Sequence, residues 1–142
     1  SPNCYAYAIG SPFNGQPGRA SGRFPTKWND VNDVGESVKA DLEAMGRTVR
    51  KISGPDAKVY DNEFKIALRV GTRPYKYNLA AGQVYYDYHF MRQTDTGQWA
   101  EKHGYGGASV LWGAGMTPDT IPWTLCGVPY YDSAIIYYAV GN

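Results

Sequence analysis

Val34, Val38, Leu42 and Met45 recur at the spacing of one helical face, with Glu36, Lys39, Asp41 and Glu43 falling on the outer face. The pattern predicts an amphipathic helix over 34–45, opened by an Asp33–Glu36 capping box and stopped at Gly46. A shorter helix is predicted from Cys4: Asn3 is a good N-cap, Ala6, Ala8 and Ile9 supply an apolar side, and Gly10 ends it. Downstream the period changes to two. Phe64, Ile66, Leu68 and Val70 alternate with polar residues, 84–93 is rich in tyrosine, and 133–140 is β-branched and aromatic. Strands are therefore expected over 48–52, 64–70, 84–93, 109–112 and 133–140, with the return arm of a hairpin around Trp99. Helices early and an antiparallel sheet late define an α+β fold, with the Cys4 helix packed on the sheet and residues 1–142 forming a single domain.

Three connections stand out. Residues 11–33 carry Pro12, Gly15, Pro17, Gly18, Gly22 and Pro25 without periodicity. A loop of that length is often functional, and this one is expected to be pinned by Phe13, Phe24 and Trp28 and to form a wall or lid beside Cys4. Proline and glycine mark 71–83 and 113–132 as further loops.

In the strand at 84–93, Asp87, His89 and Met91 share one face, while Tyr88 and Phe90 take the other. That polar trio directs His89 into a cleft. Thr94–Gly97 has the composition of a turn, and the arm beyond it brings either Glu101 or His103 opposite His89, depending on register. A cysteine hydrolase needs a sulfur nucleophile, an imidazole in reach of it, and a polar group to orient the imidazole. Cys4, His89 and Glu101 supply those three roles. A cysteine in the first turn of a helix gains from the macrodipole, which favours the thiolate. The plainer readings are a small buried hydrophobe for Cys4 and a hydrogen-bonded strand histidine for His89. Cys126 lies among Trp123, Leu125, Val128 and Pro129, and is expected to be buried and structural.

Composition narrows the class. A net charge of +1 with no basic stripe argues against nucleic-acid binding through phosphates. No apolar run approaches the roughly 20 residues of a membrane span. Thirteen tyrosines with only 19% charged residues point to an exported protein, a monomer is expected, and the Ser1-Pro2 start points to a leader or upstream domain that is removed or left out. No phosphate-binding loop is present, and Cys4, His89, His103 and Cys126 are too scattered in sequence for a zinc site, so neither cofactor nor metal is expected.

The segments Asn3-Cys4-Tyr5-Ala6-Tyr7-Ala8, Asp87-Tyr88-His89-Phe90-Met91-Arg92-Gln93 and Gly97-Gln98-Trp99-Ala100-Glu101-Lys102-His103-Gly104 together resemble little-characterised, mostly microbial proteins. Those proteins are in turn similar to papain-like cysteine hydrolases of the NlpC/P60 kind. The resemblance implies a papain-like fold, Cys4 as nucleophile, His89 as base, and a peptide or glycopeptide such as a cell-wall cross-link as substrate. Glu101 stands where the related pattern has His, and His103 where it has Pro. The alternative is an exported Tyr- and Trp-rich binding module closed by a Cys4–Cys126 disulfide.

Overall fold

The computed structural model describes residues 2–12, 14–75, 82, 84–104 and 106–142. Two helices, α1 (Cys4–Ile9) and α2 (Val31–Ala44), precede eight strands: β1 (Thr48–Ile52), β2 (Glu63–Val70), β3 (Tyr88–Gln93), β4 (Trp99–Lys102), β5 (Ser109–Leu111), β6 (Thr124–Leu125), β7 (Val128–Pro129) and β8 (Ile136–Gly141). Six strands form one antiparallel sheet in the order β1-β8-β2-β3-β4-β5, and β6 and β7 make a separate hairpin. The fold is α+β. No helix among the described residues is long and apolar enough to cross a membrane.

The alternation of the central strands builds a core on each face of the sheet. Ile66, Leu68, Val70 and Phe90 turn towards the helices and pack with Ile9, Val34, Val38 and Leu42. Ala67, Met91, Trp99 and Tyr137 turn the other way, against Ile121, Trp123, Tyr130 and Tyr131 of the connection before β8. Burying both faces explains how so few charged residues suffice for the strands. His89 follows Met91 onto the second face, as the alternation predicts.

α2 begins three residues before the expected start. Its N-cap is Asp30, whose side chain accepts from Asn32 N–H, and not Asp33. Asp33 instead receives the amides of Thr26 and Lys27 and pairs with Arg23, tying down the preceding loop. Asp41 is a second correction: it is 1% exposed and lies on the buried face. Its carboxylate accepts from Tyr5 Oη, Gly18 N, Ser21 N and Ser21 Oγ. This carboxylate organises the long loop, with Trp28 as an aromatic pin. Phe24 is 48% exposed and Phe13 lies outside the described residues, whereas Trp28 does pack, on Tyr88. Met45, expected on the apolar stripe, is exposed and caps the helix end.

β3 is shorter than expected, starting at Tyr88, with Tyr85 pairing only as an isolated bridge to Tyr75. The turn between β3 and β4 closes through Thr94 N to Gln98 O and Gly97 N to Thr94 O, and Gly97 takes the positive φ that favours glycine there. The β6–β7 hairpin lies in a stretch read as loop. Its Cys126-Gly127 turn has positive φ at both residues, the geometry of a tight two-residue hairpin turn.

Candidate functional site

Asn3 makes the start of α1. Its side chain accepts from Ala6 N–H, while its own amides donate to Asn14 Oδ1 and Gly15 O of the long loop. The loop thus buttresses the cysteine turn from behind and does not wall the cleft, as had been expected of it. The cleft, of about 600 Å³, is lined by Cys4, Asp87, His89 and His103 on one side and by Thr124, Leu125, Cys126 and Gly127 of the hairpin on the other.

The β3–β4 ladder pairs only Arg92 with Ala100 and Gln93 with Trp99. Extended by its own register it sets His103 across from His89, and both expected partners meet that histidine. His89 Nε2 lies 2.8 Å from Glu101 Oε1, and the two side chains are 2% and 1% exposed. His103 Nε2 stands 2.9 Å from the same oxygen, and its ring stacks on His89 at 4.7 Å. Tyr131 stacks on His89 at 5.2 Å, and Trp123 meets it edge-on at 5.8 Å. His89 therefore has a fixed plane and touches the cleft while being almost closed to solvent. Trp112 Nε1–H donates to Glu101 Oε2 at 2.6 Å.

A carboxylate only accepts, so the hydrogen bond puts the His89 proton on Nε2 and leaves a lone pair on Nδ1. Burial works against the Glu101 charge, but His89, Trp112 and His103 outweigh it and hold its carboxyl below the ordinary range. Burial and the neighbouring His89 lower His103, against the pull of Glu101, so His103 stays neutral near pH 7.

The structure brings Cys4 and His89 to one cleft, with Glu101 buried against His89, but does not bring Cys4 and His89 into a hydrogen bond among the described residues. The thiol also departs from the expected thiolate. Burial, followed by the Asp87 charge, pushes Cys4 up to about 12, against the backbone amides of Tyr5, Cys4 and Phe90. A helix of six residues carries too little macrodipole to reverse that desolvation. Cys126 is exposed at the hairpin tip rather than buried, and both cysteines are free thiols, so the Cys4–Cys126 bridge is not formed.

His89, Glu101 and His103 also place their ligand atoms within 4.8 Å of one another. The two imidazoles stack nearly parallel, 13° apart, and His89 Nε2 is engaged by the Glu101 carboxylate. A metal ion held by all three would have to replace the His89–Glu101 hydrogen bond.

Asp87 and Tyr131 were not read from sequence as a pair. Tyr131 Oη donates to Asp87 Oδ2 at 2.9 Å. Tyr131 sits in a loop with no period to announce it, so only its place beside a proline and a second tyrosine marked it. Comparison with family models, curated proteins and solved structures finds no match to the chain.

Proposed function

We propose that the protein is a cysteine-dependent hydrolase of amide bonds, with Cys4 as nucleophile, His89 as general base and Glu101 as the group that orients the base. The observation that carries this reading is the Glu101–His89 hydrogen bond, which leaves Nδ1 as the basic nitrogen in a cleft shared with a thiol. A helix-borne cysteine beside a strand-borne histidine is the arrangement of papain-like and NlpC/P60-like hydrolases, and the proposal extends to that fold family. A peptide or glycopeptide of the kind exported enzymes meet is the substrate class.

In the proposed reaction the thiol turns towards His89 and gives its proton to Nδ1 while sulfur attacks the amide carbonyl. The amides of Cys4 and Tyr5, which face the sulfur, receive the developing oxyanion. The His89 proton then passes to the departing amine, leaving a thioester. A water deprotonated by His89 attacks the thioester, releasing the acid and restoring the thiol. Because Cys4 rests as a thiol, proton transfer accompanies attack and no preformed ion pair is needed. The binding-module alternative loses its staple with the two free thiols.

Incubation with a library of short peptides and cell-wall-type peptides, read by mass spectrometry, tests the proposal. Cleavage lost in both Cys4→Ala and His89→Ala is expected; cleavage that survives Cys4→Ala contradicts it.

A further inference from the structure

Asp87 is the one Asp, Glu, Lys or Arg among the described residues that line the cleft. It lies one strand repeat before His89 and faces the same way. Tyr131 Oη donates to its Oδ2 at 2.9 Å and Tyr88 N–H to its Oδ1 at 2.9 Å. Among the described residues no lysine or arginine pairs with it. A carboxylate drawn out of water costs free energy, and burial raises its carboxyl above the usual range against the hydrogen bonds from Tyr131 and Tyr88 and the charge of His89. Its charge is also unfavourable to a thiolate at Cys4. A nucleophile kept beside an anion that no lysine or arginine neutralises is at a disadvantage until a further positive charge enters the cleft.

We propose that Asp87 docks a primary ammonium group of the substrate, so that the substrates are amides with a free amine close to the scissile carbonyl. The inference rests on the reading of Cys4 as nucleophile. Each Asp87 oxygen accepts one hydrogen bond and has capacity for another, which suits the three donors of an ammonium. His103, neutral near pH 7, brings no competing cation. The docked ammonium cancels the Asp87 field at the sulfur, so the correct substrate itself eases formation of the thiolate. An α-amine and a lysine-type side chain share this chemistry.

The test needs no turnover and therefore fails independently of the hydrolase reading. On a Cys126→Ser background, Cys4 is modified by cationic aminoethyl, neutral methyl or anionic sulfonatoethyl methanethiosulfonate, and the rates are read by intact mass. In each case the thiolate displaces sulfinate and forms one mixed disulfide. The cation-to-anion rate ratio in the folded protein is expected to exceed that of the urea-unfolded protein by about tenfold. Asp87→Asn should bring the ratio back to the unfolded value and speed the neutral reagent, because the sulfur loses a repelling charge. A purely structural Asp87 would move all three rates together. That result, or an unchanged ratio in the folded parent, overturns the proposal. Alaninamide and Nα-acetyl-lysinamide, added at high millimolar concentration, separate the two amine sources by which one slows the cationic reagent. Equal slowing by uncharged Nα-acetylalaninamide, or slowing by none, also overturns it.

Discussion

Glu101 Oε1 sits 2.8 Å from His89 Nε2, and that contact decides which nitrogen of the ring is basic. Glu101→Gln keeps an acceptor oxygen at the same place but removes the charge. It should lower kcat/KM by roughly ten- to a hundredfold, whereas His89→Ala should lower it by about a thousandfold or more. Glu101→Ala does something else: it strands the buried His89 and Trp112 donors. A loss of about 2–4 kcal/mol is expected, read from urea unfolding.

Asp41 accepts four hydrogen bonds in the interior, three of them from the loop and one from Tyr5 of α1. Asp41→Ala leaves those donors without a partner and should cost about 3–5 kcal/mol. Because the same loop holds Asn3, the variant should also lose activity at temperatures where it is still folded. Thermal melts and assays on one sample check both effects.

Much of this was legible in the chain. The apolar stripe of α2, the alternation of β2 and β3, the Asn3 cap and the Thr94–Gly97 turn each follow from local rules, and local rules read well from sequence. Asp41 was misplaced because its type says surface, although three residues after Val38 and seven after Val34 it falls on the buried face. Cys126 was misplaced because apolar neighbours say core, while the Cys126-Gly127 turn throws it outward. The cleft depended on contacts between α1, β3 and the β6–β7 hairpin, which are distant in sequence and have no periodicity. Register between β3 and β4 was open for the same reason.

Stability should fall on both sides of neutral pH, for different groups. Cys4 is raised in the folded state from about 8.5 in an unfolded chain to about 12. Above the unfolded value the folded protein holds the proton that the unfolded chain releases, so stability falls as pH rises from about 9 towards 12. Burial raises Tyr5 and Tyr131 in the same sense and extends the loss. Glu101 is lowered, so its contribution is complete above about 4.3 and fades as pH falls through its folded value. Melting temperatures at pH 3–11 should form a plateau between these limbs, with the alkaline limb shallower in Cys4→Ala.

Cys126 projects from a turn at the cleft, and no hydrogen bond or disulfide among the described residues involves its sulfur. Cys126→Ser should leave the melting temperature within about 1 °C, in line with ordinary exposed substitutions. Alkylation of the parent should label Cys126 first.

The pairing of Cys4 with His89 is tested most directly by acyl trapping with p-nitrophenyl acetate, followed by peptide mapping. The account predicts an acetyl thioester on Cys4 in the parent protein, with a burst of nitrophenolate, and neither in His89→Ala. Acetyl found on Cys126 alone, or on Cys4 at an unchanged rate in His89→Ala, would contradict it.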